Sequence, residues 1–238
     1  MVKSRENDIA RPTSVPSSRA LRTRTALLDA GLHLLAERPV DAIAVDELVG
    51  AAGVAKGSFF NHFADKHAFA AAIAEDIRAE LEARVERFNA GEEAALVRLS
   101  GGMIVAAAFA LGEPRRTTIM ARNASSQTMQ DHPLNRGVIA DLRASWKQGL
   151  IAPANEASGV LFWLGCCHTV MSALVTMPDD GPASLRVSVS LRVLADMMRQ
   201  ALRGLGAAPE AIASLTAPAT LAARLDRALS TADYVVSS

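Results

Sequence analysis

The chain has 238 residues, half of them apolar, and Lys+Arg and Asp+Glu are balanced at 25 each. That length and apolar content supply a sizeable core and exclude a disordered chain. The charge balance excludes an indiscriminate polyanion binder, and two cysteines, adjacent at Cys166 and Cys167, exclude a disulfide-stapled fold.

Charge is nonetheless segregated along the chain. Residues 1–24 carry Lys3, Arg5, Arg11, Arg19, Arg22 and Arg24 against Glu6 and Asp8, whereas residues 75–93 carry seven acids against Arg78, Arg84 and Arg87. A basic end beside an acidic middle suits DNA binding at a single face. Residues 1–18 contain Pro12 and Pro16 and no hydrophobic period, so they read as a flexible basic arm. The same stretch lacks an apolar signal core, which makes a cytoplasmic location the expectation.

A first helix is expected over residues 19–37, with Leu27, Ala30, Gly31, Leu34 and Leu35 on one stripe and Pro39 ending it. A short helix follows, in which Val45, Leu48, Val49 and Ala52 recur at helical spacing. Gly53 is the residue that can take positive φ and stop it, and Val54 plugs the turn. The helical pattern resumes from Lys56 to Phe63, with Phe59 and Phe63 four apart on the buried side. Lys56, Ser58, Asn61 and His62 are left to the other side. Two short helices joined by a glycine turn are the grammar of a helix-turn-helix, whose second helix enters a major groove.

Lys66 opens a long helix with Phe69, Ile73, Ile77, Leu81 and Val85 on one side; Glu75, Asp76, Glu80, Glu82 and Glu86 read as its solvated face. Further helices are expected over 96–111, 115–124, from Pro133 to about 151, 156–177 and 184–205, with one final helix from Pro209 to about Leu229. Residues 125–128 and 178–182 read as turns. The uncharged run 157–178 is long enough to span a bilayer, but its Ser, Gly, His and Thr content favours a helix buried on all sides and no membrane. No strand pattern of useful length and no internal repeat is present. The fold class is all-α.

The run Ala51-Ala52-Gly53-Val54-Ala55-Lys56-Gly57-Ser58-Phe59-Phe60-Asn61-His62-Phe63-Ala64-Asp65-Lys66 resembles the signature of the tetracycline-repressor (TetR) family, and the likeness extends over about residues 19–69. The resemblance implies a three-helix DNA-binding domain over residues 19–66 and a helical effector-binding and dimerisation domain over 67–238. It further implies a homodimer through the helices near 156–177 and 184–205, a palindromic duplex DNA operator, and a small-molecule effector that releases a repressor. Its DNA-contacting residues would be Arg22, Thr25, Lys56, Gly57, Ser58, Phe60, Asn61, His62 and Lys66. Asn61 can pair bidentately with adenine, Lys56 and Lys66 can bind phosphate, and Gly57 lets the helix approach the backbone. Three positions depart from the family pattern: Ala44 and Ala55 stand where capping hydroxyls are usual, and Phe60 where a tyrosine reaches phosphate. Each loses an oxygen that could hold the protein on the duplex.

The effector site is less legible. Met103, Phe109, Met120, Met129, Trp146, Phe162, Trp163 and Met171 are candidates for an adaptable apolar cavity, though each also reads as plain core. An apolar ligand is expected, with Arg115, Arg116 or Arg122 available at the rim for a carboxylate. Cys166-Cys167-His168 point about a hundred degrees apart along a helix and cannot share one tetrahedral ion, so no metal and no cofactor are expected. No catalytic motif is present. Two other readings stay open: a non-DNA-binding interaction protein on the same scaffold, and an enzyme that uses Cys167 or His168.

Overall fold

The computed structural model describes residues 18–122, 132–177 and 183–231. The arm expected over 1–18, apart from Ser18, and the turns expected over 125–128 and 178–182 lie outside them, as does Met129. The described residues form helices joined by turns, with no strand: α1 Ser18–Glu37, α2 Val45–Ala52, α3 Lys56–Phe60, α4 Lys66–Phe88, α5 Ala95–Gly112, α6 Pro114–Arg122, α7 Arg136–Lys147, α8 Glu156–Val175, α9 Ala183–Gly204, α10 Pro209–Leu215 and α11 Pro218–Ser230.

Leu27, Gly31 and Leu35 form the buried stripe of α1. Gly31 is there because α4 leaves no room for more: a Cβ would stand 2.3 Å from the Phe69 ring and 2.5 Å from Ile73. After Pro39 a single 3₁₀ turn, Val40–Ala42, drops Ile43 into the core, and Arg38 pairs with Glu47 of α2. Gly53 closes α2 with φ 65°, the left-handed cap that its position required.

The second helix of the motif, α3, is shorter than its hydrophobic pattern suggests. It stops at Phe60, because the amides of His62 and Phe63 both donate to the Phe59 carbonyl at 2.9 Å and tighten the chain into a turn. Asp65 then caps α4 by accepting from the Ala68 amide at 2.7 Å. The rings of Phe59, Phe63 and Phe69 lie 5.0–5.6 Å apart and weld α3 to α4.

Neither α2 nor α3 has a side-chain cap. Ala44 and Ala55 occupy the two N-cap positions with extended backbone (ψ 146° each), the conformation in which a hydroxyl would accept from an amide of the first turn. Ala44→Ser should therefore raise the unfolding free energy by about 1 kcal/mol, read as a higher urea midpoint at unchanged slope. An unchanged midpoint would mean that this helix end is satisfied by water.

In the larger domain α5 is the helix enclosed on nearly every side, packed by α4, α6, α7, α8, α9 and α11. Its alanines and Gly101 let those neighbours close in. Arg224 of α11 donates to Ser100 Oγ (2.9 Å) and the Val97 carbonyl (3.0 Å), and Arg227 lies over the Phe88 ring at 4.1 Å. Two described helices, α5 and α8, are long and apolar enough to cross a membrane, but 72% of the α5 window is buried within the fold, as for a core helix.

Three expectations are corrected here. The helix α8 is not buried on all sides, since Leu161 (48%) and Phe162 (42%) form an exposed apolar strip opposite the buried Val160, Trp163 and Leu164. The last helix is two, because Ala217 is extended before Pro218 and the proline opens α11. The acidic face of α4 is only partly solvated. Glu80 bonds Arg84 and Arg116 and shares them with Glu113, above the Phe109 ring; Glu82 pairs with Arg78.

Candidate DNA-reading helix and effector cavity

On α3, Lys56, Gly57 and Phe60 are exposed while Phe59 is sealed beneath them; Asn61, which caps the helix, is exposed, and Ser58 and His62 are half-buried. A Cβ at Gly57 would meet nothing within 4 Å, so this surface is open to a large partner. Arg22 and Thr25 are exposed on the first half of α1. Lys56 is held by Asp46 of α2 at 2.8 Å, and a phosphate would have to compete with that carboxylate. Lys66 has another use. Its ammonium donates to the carbonyls of Asp41 (2.9 Å) and Ile43 (3.3 Å), which ties the start of α4 to the 3₁₀ turn.

A cavity of about 80 Å³ opens between α4, α5, α6, α7 and α8. Its apolar wall includes Leu81, Val85, Leu99, Met120, Trp163 and Met171, and its polar wall is Arg78, Glu82, Arg98, Asp141, Cys167 and His168. The charges are paired among themselves. Arg78 bonds Glu82 at 2.8 Å and the Asn135 amide oxygen at 2.7 Å. Arg98 bonds Asp141 at 2.7 Å and the carbonyls of Glu92 and Glu93. Burial pushes the Glu82 carboxyl above its ordinary range against the pull of Arg78. Burial also pushes the Cys167 thiol up to about 12, so it offers no thiolate at neutral pH, and a nucleophilic role has no support. Among the described residues no group of His, Cys, Asp and Glu could hold a metal ion.

Residues 27–73 match the family of bacterial regulatory proteins, tetR family. The chain carries a tetR-family DNA-binding domain. None of the curated protein sequences matches it. Solved structures extend the likeness over the whole tetR-type fold. A γ-butyrolactone receptor (ArpA-like protein) is 24% identical over 88% of this chain and 98% of its own, with a TM-score of 0.57. CprB from S. coelicolor A3(2), a TetR-family protein, is 24% identical over 88% and 98%, with a TM-score of 0.55. RolR in complex with resorcinol is 16% identical over 85% and 96%, also at 0.55. At these identities the likeness is one of fold. The architecture is tetR-type, a helix-turn-helix domain followed by a helical domain.

Within the tetR-type fold the expected effector residues separate into two groups. Met120, Trp163 and Met171 line the cavity. The others do not line it. Met103 and Phe109 are sealed in the core around α5. Arg122 donates to the Leu35 and Ala36 carbonyls and so caps the end of α1. Trp146 (40% exposed) and Phe162 face outward on α7 and α8. Arg116 is committed to Glu80 and Glu113, Arg115 is exposed, and none of the three α6 arginines lines the cavity. What the sequence reading missed is the polar wall. Its signal was present in Arg78 and Glu82, which directly flank the apolar stripe of Ile77, Leu81 and Val85.

Proposed function

We propose that this tetR-type chain is a cytoplasmic, dimeric repressor that binds a palindromic duplex operator and leaves it when a small neutral molecule enters the α4–α8 cavity. The observation that carries the reading is the course of α4. Its first turns hold the reading helix through Phe69 and the 3₁₀ turn before α2 through Lys66, and its later turns supply Leu81, Glu82 and Val85 to the cavity. A ligand that spreads the cavity moves the element on which α3 is mounted. A second link runs through α6, where Met120 faces the cavity and Arg122 holds the end of α1. Release is then a population shift whose size is set by the ligand's preference for the DNA-free form.

The charge of the ligand follows from the walls. Two arginines face two carboxylates in matched pairs, so a charged ligand would either break a pair or be buried without compensation. A neutral molecule with an apolar body and one or two polar atoms fits best. This agrees with the resorcinol and γ-butyrolactone named for two structural relatives. The cavity is also far smaller than the roughly 300–1,000 Å³ of pockets that enclose drug-sized ligands. A ligand of that size has to push its walls apart, which is what coupling requires.

The second copy would sit on α8 and α9, where Leu161, Phe162 and Val187 (51% exposed) are uncovered. Two such subunits present two reading helices to successive half-sites. The test is selection from a random duplex DNA library with wild type and Asn61→Ala in parallel. Wild type should recover a palindrome, and the variant should relax one position of each half-site, the place where the Asn61 amide reads a base. No enrichment by wild type would sink the proposal.

A further inference from the structure

Phe60 is an exposed aromatic ring beside the polar side chains of Lys56 and Asn61. Its side chain is 52% exposed, while Phe59, Phe63, Phe69, Phe88 and Phe109 are all buried. The other exposed phenylalanine, Phe162, lies on the face assigned above to the second copy. Among the described residues the aromatic neighbour of Phe60 is Phe59, met edge-on with centroids 5.3 Å apart, and about half of the residue stays open to a partner. Lys56 stands one helical turn before it on the same side and Asn61 directly after it, both exposed. An apolar ring set between an ammonium and an amide is not the start of a hydrophobic patch that another protein would cover. Those neighbours are the groups that meet phosphates and base edges.

Without a hydroxyl, Phe60 can neither donate to a phosphate nor accept from a base. The apolar feature that a major groove offers to such a ring is the C5-methyl group of thymine. We propose that Phe60 is a specificity-determining residue that reads a thymine in each half-site by packing its ring on that methyl, next to the base read by Asn61. The inference rests on the DNA-binding reading above and adds to it the identity of a base.

The test takes the duplex recovered by selection and replaces each thymine in turn with deoxyuridine, which removes the methyl and leaves base pairing intact. Binding of wild type, Phe60→Leu and Phe60→Ala is followed by fluorescence anisotropy. For wild type, one symmetry-related thymine pair should lose about fourfold in affinity per half-site, the value of burying one methyl. Phe60→Leu should keep part of the discrimination and Phe60→Ala none. Because the ring is exposed, both variants should keep the wild-type circular dichroism and melting point. Equal binding of thymine and uracil duplexes by wild type overturns the inference and leaves the DNA-binding reading standing. So does discrimination retained in Phe60→Ala, which would give the methyl contact to another residue. Failure of wild type to enrich any duplex overturns both.

Discussion

Phe59→Ala should destabilise the DNA-binding domain by about 3–5 kcal/mol, the usual cost of emptying a phenylalanine site in a core, and should abolish operator binding. The ring is fully buried and stands 5.5–5.6 Å from Phe63 and Phe69, so it is the one large apolar side chain through which α3 leans on α4. A helix of five residues has no stability of its own in water. Its place is fixed by this contact and by the turn that follows it. Removing the ring leaves a void that a small domain cannot close by local collapse, and the reading residues lose their common mount. The neighbouring substitution sharpens the contrast. Phe60→Ala, one residue on but exposed, should change stability by no more than about 0.5 kcal/mol. Urea unfolding followed by circular dichroism, with anisotropy on the selected duplex, measures both. Equal midpoints for Phe59→Ala and wild type would show that α3 is held by something other than this ring.

That contrast also shows why the helix-turn-helix was legible in the sequence. Its determinants are local. Gly53 takes φ 65° where the pattern needed a left-handed residue, and Phe59 and Phe63 fall inward at a spacing of four. The end of α3 was misjudged because Phe63 continues the apolar period while the backbone has already turned back onto the Phe59 carbonyl. The break before Pro218 follows from the proline, although the expected helix runs unbroken from Pro209 to about Leu229.

The cavity was legible only in part, and the reason is physical. A methionine or a phenylalanine looks the same in a sequence whether it lines a void or fills one. Met103 and Met120 differ only in which helices meet them. Periodicity sends charges to solvent, yet Arg98 finds Asp141 across 43 positions of chain and turns inward with it. Trp146 and Phe162 are as apolar as the cavity residues, yet they stand 40% and 42% exposed and outside its lining.

Two adjacent glycines of α5 separate the cavity from the core and give the second large effect. At Gly101 a Cβ would stand 2.2 Å from Asn89 Oδ1, whose amide nitrogen is bonded to the Arg98 carbonyl. At Gly102 the nearest atom would be Val85 Cγ1 at 4.0 Å, across the cavity. Gly101→Ala should therefore lose roughly 1–3 kcal/mol through overpacking. Gly102→Ala should gain up to about 1 kcal/mol from the removal of a mid-helix glycine. Gly102→Leu goes further and places an isobutyl group where the ligand is proposed to sit. It should bind the selected duplex as wild type does, since α3 and its mount are untouched, but no ligand should release it. The measurement is a screen of neutral aromatic alcohols and lactones for release of wild type from the duplex, repeated on the variant. A compound that releases wild type should need at least a hundredfold more, on the order of 3 kcal/mol of lost binding, to release Gly102→Leu. Release at the same concentration would place the ligand outside this cavity. A melting point that falls as far as that of Gly101→Ala would mean that the space beside Gly102 is not available to a side chain, and with it the account of how a ligand enters between α4 and α5 would go.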